Sequence, residues 1–340
     1  MNEIIELQKR LVPDLIKVMQ KRYRILRSIQ MMQPVGRRSL SQNIHMTERV
    51  LRSETDFLKK QQLISISNTG MRLTKEGKIL LEKLEHIMKD FSGISELEKQ
   101  LTHALNIRKC IVVSGNSDES GWVKRELGRV CTDDMKEVLK DGYVISVTGG
   151  STINAVAEAF PDDLGKKDLL FVPARGGIGS HTEYQANTIC EKMAGRSGGK
   201  YMVLYSPDQI TEQLYESFIQ ESVFRKVLQK IKSADVVIHG IGDALTMAKR
   251  RNTPDEVMEK LVRENAVAEA FGYYFDEEGN VVHKVQTVGL QLEDLQKIPH
   301  IYAVAGGASK AKAIKAYMKI APEHTVLVTD EAVTNEVLKG

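Results

Sequence analysis

The stretch YVISVTGGSTINAVAEA, Tyr143–Ala159, is an apolar β-branched run, a double glycine, two hydroxyl residues and then an alanine-rich helical pattern. It reads as a strand over 143–147, a tight turn at Gly149-Gly150, and a helix opening at Ser151. Short runs of the same kind recur at 111–114, 169–172, 202–205, 236–239, 301–304 and 325–328, separated by helical patterns. Such alternation is the mark of a parallel sheet covered by helices. Several strands run into glycine-containing turns of their own: Arg175-Gly176-Gly177, Gly240-Ile241-Gly242 and Ala305-Gly306-Gly307. Ligands in open α/β sheets bind at these carboxyl ends. Gly149, Gly150, Ser151 and Thr152 offer backbone N–H groups, the positive end of a helix dipole and two hydroxyls, which together suit a phosphate. Taken alone, the same four residues serve equally as a tight turn closed by a capping hydroxyl.

Upstream, the rhythm is different. Leu7, Leu11, Leu15, Val18 and Met19 and then Tyr23, Leu26, Ile29 and Met32 recur at helical spacing and predict two helices on one core, stopping at Gln33-Pro34. After Gly36, Ser39 to Ile44 predicts a short helix; His45-Met46 turns, and Thr47 is placed to cap a helix through about Lys60. That is helix-turn-helix spacing. Leu63 to Ile66 and Met71 to Leu73 flank a turn at Asn68-Thr69-Gly70 and read as a β-wing. In the second helix, Val50, Leu51, Phe57 and Leu58 form the expected core stripe, leaving Thr47, Arg49, Arg52, Ser53 and Asp56 outward. Arginine is the usual bidentate reader of guanine, so Arg49 and Arg52 are the first candidates for base contact, with Thr47 and Ser53 beside them. Arg37, Arg38, Lys59, Lys60 and Arg72 are candidates for phosphate contact. From Thr74 a longer helical pattern places Leu80, Leu84, Ile87, Phe91, Ile94, Leu101 and Leu105 at four- and three-residue steps, with Glu98 interrupting. It fits a dimer helix and a helix packed on its own chain alike.

At 340 residues, with 42% apolar and 27% charged residues, the chain suits two globular domains. Its net charge of +3 is unevenly spread. Residues 1–108 carry 20 Lys and Arg against 12 Asp and Glu, the remainder 28 against 33, so the head is basic and the body acidic. A basic head suits a polyanion such as DNA. Nothing approaches the roughly 20 consecutive apolar residues of a membrane span, and Met1 to Gln20 lacks a signal-peptide core, so a cytoplasmic protein without a membrane role is expected. Cys110, Cys131 and Cys190 are widely spaced and read as reduced core thiols, with no metal expected. The eight histidines are dispersed, without HExxH or a Ser-His-Asp arrangement. Glu269, Asp243, Asp330 and Glu331 are the carboxylates an isomerase-like reaction could use as base, and none sits in a distinctive acid/base constellation. A phosphosugar isomerase or deaminase is the alternative to a binding protein; no catalytic residue and no cofactor is assigned.

The order of motifs over residues 109–340 resembles the sugar-binding domain of SorC/DeoR-type regulators. It runs through Gly149-Gly150-Ser151-Thr152, Gly176-Gly177-Ile178-Gly179, Ala234-Asp235 to Gly240-Ile241-Gly242, Ala268-Glu269 to Phe275-Asp276 and Gly279, Ala305-Gly306-Gly307 with Lys310, and Val328 to Ala332. The resemblance implies a winged helix-turn-helix over 1–74, a linker or dimerisation helix over 75–108, and a Rossmann-like, phosphosugar isomerase-like α/β effector and oligomerisation domain over 109–340. It implies that Gly149, Gly150, Ser151 and Thr152 hold one phosphate, that Lys310 stands beside a phosphate, and that Glu269 accepts from sugar hydroxyls. Arg175 and Arg250 are the extra guanidinium groups that a second phosphate needs. Gln185, read as lying on the helix after Gly176-Gly177, is a further candidate for a hydroxyl or phosphate. The members that the whole chain resembles, winged helix included, are repressors of a lower-glycolysis, glyceraldehyde-3-phosphate dehydrogenase-type operon, released by fructose-1,6-bisphosphate. Double-stranded operator DNA, a sugar phosphate and a homodimer or homotetramer are therefore the expected partners.

Overall fold

A computed structural model describes residue 7 and residues 10–44, 46–162, 167–178 and 181–339. His45 and Gly179, named above in the turn and in the second glycine motif, lie outside the described residues. The chain divides into two compact units, one ending at Glu96 and the other beginning at Leu97.

The first unit contains helices α1 (Pro13–Met32), α2 (Arg37–Asn43) and α3 (Glu48–Lys60), strands β1 (Ile64–Ser67) and β2 (Gly70–Leu73), and helix α4 (Lys75–Phe91). Thr47 caps α3, its hydroxyl accepting from the Val50 N–H at 3.4 Å, and Thr74 caps α4, accepting from Gly77 at 3.0 Å. The wing pairs Ile64 with Leu73 and Ser67 with Gly70, and Val35 adds a third short edge against Met71. Ile25, Leu26, Ile29, Leu40, Leu51, Leu58, Ile64, Met71 and Leu81 close one core. Two expectations are corrected. The residues from Leu15 to Met32, expected to fall in two helices, form one, which starts at Pro13. In α3 the buried face is Leu51, Glu54, Thr55 and Leu58, a strict helical stripe, while Val50 is exposed and Phe57 only half-buried under the Arg22 guanidinium, 3.6 Å from its ring centre. A carboxylate can take a core-facing position here because Lys21 and Arg22 on α1 meet Glu54, Arg22 Nε at 2.9 Å. Burial opposes the Glu54 charge, and the two cations outweigh it, holding the carboxyl below its ordinary range.

The second unit is built on a seven-stranded parallel sheet. Its strands are β3 (Lys109–Val113), β4 (Val144–Val147), β5 (Leu170–Pro173), β6 (Lys200–Tyr201), β7 (Val236–His239), β12 (His300–Val304) and β13 (Thr325–Asp330), in the spatial order β3-β13-β12-β7-β4-β5-β6. From β4 the chain winds outward through β5 and β6; from β7 it winds the other way through β12 and β13, so the winding reverses between β4 and β7. Helices α6 (Gly121–Val138), α7 (Ser151–Ala159) and α8 (Ala186–Ser197) bury Leu127, Cys131, Ile153, Val156 and Ile189 against Ile145, Val147, Ile238 and Val304. All three cysteines are free and buried, and burial pushes the Cys110 thiol up to about 12.

Three features depart from the expected pattern. The strand expected at 202–205 is the two-residue pairing Lys200–Tyr201. A second sheet, antiparallel and four-stranded, was not expected: β8 (Gly242–Asp243), β9 (Ala268–Ala270), β10 (Tyr273–Phe275) and β11 (Val281–Lys284). Its β9–β10 hairpin turns through Phe271 and Gly272, both at positive φ (53° and 85°), so a phenylalanine stands where Asn or Asp usually signals such a turn. The third concerns α5 (Ile94–Leu105), separate from α4 across Ser92-Gly93. In this unit Glu98 and Thr102, one turn apart on α5, accept the outward N–H groups of Val112 (2.9 Å) and Cys110 (3.0 Å) on the edge strand β3. Glu98 interrupts the apolar repeat because it covers a sheet edge on its own chain. On α4 the buried apolar side chains among the described residues are Leu81 and Met88, whereas Leu80, Leu84 and Phe91 stay half-buried and Ile87 exposed.

Candidate effector site and DNA-reading face

The carboxyl ends of β4, β7 and β12 lie side by side, and their glycine loops gather the candidate effector residues. Gly149 and Gly150 connect β4 to α7. A Cβ on Gly149 would stand 2.6 Å from the Tyr184 carbonyl, which instead accepts the Gly150 N–H at 2.8 Å, and Gly150 sits at φ 120°. Only glycine meets both demands. Ser151 and Thr152 open α7; Thr152 is buried, and the Ser151 hydroxyl accepts from Lys124 Nζ at 3.3 Å.

Lys310 closes a 3₁₀ turn, Ala308–Lys310, after β12. Asp330, fully buried, holds that loop by accepting from Gly307 N at 2.7 Å and from Ser117 N at 2.8 Å; Asp118 accepts from Ser309 N at 2.9 Å. Burial, and then the neighbouring charges of Lys124 and Arg250, push the Lys310 ammonium below its ordinary range, against the opposing pull of Asp118 and Asp330. Among the described residues none of the three cations forms an ion pair with a carboxylate. Lys124 stands at a helix N-terminus, itself positive, and its charge and that of Arg250 both reach Lys310.

Glu269 and Arg175 belong to a different cluster. Glu269 Oε1 accepts from Arg251 Nη2 (2.7 Å), Arg175 Nη1 (3.2 Å) and the Gly272 N–H (2.8 Å). Asp208 pairs with the same two arginines, at 3.0 Å to Arg251 Nε and 2.6 Å to Arg175 Nη2. Burial works against the Glu269 charge, and Arg251 and Arg175 outweigh it, holding the carboxyl below its ordinary range. The expected free guanidinium at Arg175 is thus engaged with two carboxylates, because the cluster lies where almost no water reaches and each charge there requires a partner. Arg175 Nε and Nη2 donate no hydrogen bond to a described atom, Nη2 being held to Asp208 as an ion pair only. Gln185 is also corrected. It precedes α8 as its N-cap, and its amide is paired with Ile178, accepting from N at 2.9 Å and donating to O at 2.7 Å, so it pins the glycine loop. Arg250 is exposed, as expected of a ligand-facing or solvated residue, while its neighbour Arg251 has a side chain only 2% exposed and was not anticipated. Nor was Asp208, whose single carboxylate in a loop carries no sequence signal.

The four carboxylates considered for acid–base work are all engaged structurally. Asp243 caps the helix after β8 (Thr246 N at 2.8 Å), Asp330 knits the loops above, and Glu331 accepts from Ser114 Oγ at 2.8 Å. Glu269, ionised and held by two arginines, is a weak base. The arrangement suits an anion, and these four carboxylates are held in structural contacts rather than poised as bases.

In the first unit, Thr47, Arg49, Arg52, Ser53, Lys59 and Lys60 are all exposed on α3, and Arg72 is exposed on the wing. Arg38 is exposed at the start of α2; Arg37, half-buried, is tied to Asp56 at 3.0 Å. Thr47 both faces outward and caps the helix. The face is a cationic surface of the kind that meets a duplex.

Residues 18–88 match the CggR N-terminal DNA-binding domain, and residues 89–339 match the sugar-binding domain family. The chain is 52% identical to the central glycolytic genes regulator of Bacillus subtilis over 339 residues, 100% of this chain and 99% of that one, and 51% identical to that of Priestia megaterium over 340 residues (100% and 99%). The solved structure of a SorC family transcriptional regulator from Enterococcus faecalis superposes with a TM-score of 0.68 at 48% identity, covering 72% of this chain and 99% of that one. The full-length sorbitol operon regulator SorC of Klebsiella pneumoniae shares the fold, with a TM-score of 0.67 at 16% identity over 90% of this chain and 94% of that one. A DNA-binding head, a sugar-binding α/β body and full-length identity above one half together place this chain in the SorC family of sugar-binding transcriptional regulators, as a regulator and not an enzyme.

Proposed function

We propose that this chain is a cytoplasmic repressor of a glycolytic, glyceraldehyde-3-phosphate dehydrogenase-type operon, released from its operator by fructose-1,6-bisphosphate or a related phosphosugar. The observation that carries the effector class is that Lys124, at the start of α7, and Arg250 both bear on Lys310, with no carboxylate ion-paired to any of the three. Like charges gathered with none of them ion-paired, and only Asp118 and Asp330 nearby to offset them, favour an anion that completes the group, and a helix N-terminus is a ready site for phosphate. One phosphate lies on Gly149, Gly150, Ser151, Thr152 and Lys310, the sugar hydroxyls face Glu269, and the second phosphate draws on Arg250 and the Arg175 guanidinium, with Gln185 holding the loop between them. The first unit reads bases with Arg49 and Arg52, with Thr47 and Ser53 alongside. It grips phosphates with Arg37, Arg38, Lys59, Lys60 and Arg72. Dimers or tetramers, joined through the large units and through the half-buried stripe Leu80, Leu84 and Phe91 on α4, present paired heads to a near-palindromic site. The finer boundaries at 74 and 108 belong to this reading.

Thermal unfolding of the full chain with a panel of mono- and bisphosphorylated sugars tests it. Two transitions are expected, and the true effector raises only that of the larger unit, by about 2.7 kcal/mol at a hundred times its Kd. A panel that leaves both transitions unmoved removes the phosphosugar from the account.

A further inference from the structure

Helices α6 and α7 run in register. A Cβ on Gly128 would collide with the Ala155 carbonyl, so the two backbones touch there. Four residues later, Thr132 Oγ1 donates to the Ala159 carbonyl at 3.4 Å; four residues earlier, Lys124 Nζ donates to Ser151 Oγ at 3.3 Å. Three rungs at a four-residue spacing lock Lys124 over the first turn of α7. The position is electrostatically wrong for a structural lysine. It sets a cation against the positive end of a nine-residue helix and within reach of the charge of Lys310, which Arg250 also repels and Asp118 and Asp330 attract. A contact to one serine hydroxyl leaves two of its three N–H donors for something else.

Resting on the phosphosugar reading, we infer that Lys124 binds the same phosphate as Lys310 and Ser151, and that it sets the site's preference for the doubly ionised form of that phosphate. With two ammonium groups and a helix N-terminus around it, the second negative charge is what the site rewards, and a carboxylate or sulfate monoester cannot supply it. A phosphate monoester acquires that charge around pH 6.

Calorimetric titration of the full chain, wild type, K124Q and K124R, with fructose-1,6-bisphosphate, fructose-1-phosphate, fructose-6-phosphate and inorganic phosphate at pH 5.5 and 7.5 tests this. K124Q is expected to weaken the bisphosphate on the order of tenfold to a hundredfold. The loss falls on one of the two monophosphates and not the other, the gain between pH 5.5 and 7.5 shrinks, and K124R restores most of the affinity. The ligand-free melting temperature of the larger unit does not fall, because K124Q removes a repulsion. The inference is overturned if K124Q binds as wild type does with the same pH response, or if its ligand-free melting temperature drops and both monophosphates weaken equally. Wild-type protein that binds inorganic phosphate through Lys124 but no sugar phosphate would sink the proposed effector and leave this inference standing; binding of none of the four would sink both.

Discussion

Arg250 and Arg251 are adjacent in the chain and opposite in fate. Arg250 is exposed beside Lys310, while Arg251 lies in a nearly dry cluster between Asp208 and Glu269. Removing one partner from a buried ionic cluster leaves the others uncompensated. Arg251→Met is therefore expected to destabilise the larger unit by about 3–5 kcal/mol in denaturant unfolding. Arg250→Ala should change stability by no more than about 0.5 kcal/mol, while weakening the bisphosphate. Equal stability losses would contradict the assignment. Lys310 was legible as a candidate because it stands in a glycine turn of a known motif order, whereas Arg251 pairs 43 residues back with Asp208 and 18 residues on with Glu269 and leaves no local trace. His239, wholly buried against Phe271 and Tyr317 at the end of β7, is the second case. Burial pushes it down to about 4. Its unfolded value is about 6.5, so the unfolded chain takes the proton first. The stability it contributes is complete above about pH 6.5 and is lost as pH falls toward 4, on the order of 3 kcal/mol in all. Unfolding of wild type and His239→Gln at pH 7.5 and 5 should show a steeper acid loss in the wild type; parallel losses would contradict it.

At the scale of elements, the segment from Thr74 to Leu105 separates two readings that its apolar repeat leaves level. Glu98 sits on β3's edge, accepting the Val112 N–H. Glu98→Leu completes the repeat, and a coiled-coil seam running through this helix would gain stability and self-association from it. Leaving Val112 unsatisfied should instead cost about 1–3 kcal/mol in the larger unit, read by thermal unfolding at several protein concentrations. The strands of the parallel sheet, β6 apart, were legible because each is a buried β-branched run ending in a turn signal. The second sheet was not. Its strands are two to four residues long, β9 is Ala-Glu-Ala, and its tight turn is Phe271-Gly272. Phe271 tolerates positive φ because its ring is buried against His239, and the same turn presents the Gly272 N–H to Glu269. Glu269 was thus visible as a candidate by motif order while the element that orients it was hidden.

At the scale of the whole molecule, a basic head and an acidic body divide the labour: 20 cationic to 12 anionic residues up to Arg108, 28 to 33 beyond. A ligand bound to the body can loosen the head's hold on DNA only by as much as it prefers the conformation that DNA does not. The central claim is that an anion cradled at the start of α7 controls the grip of α3 on a duplex. Fluorescence anisotropy of a labelled operator duplex with the full chain, titrated with fructose-1,6-bisphosphate, tests it most directly. Wild type should release the duplex as the sugar is added, and Thr152→Ala and Lys310→Ala should bind the duplex normally yet stay bound at the same sugar concentration. Wild-type protein that holds the duplex equally tightly with and without every phosphosugar tried would contradict the account.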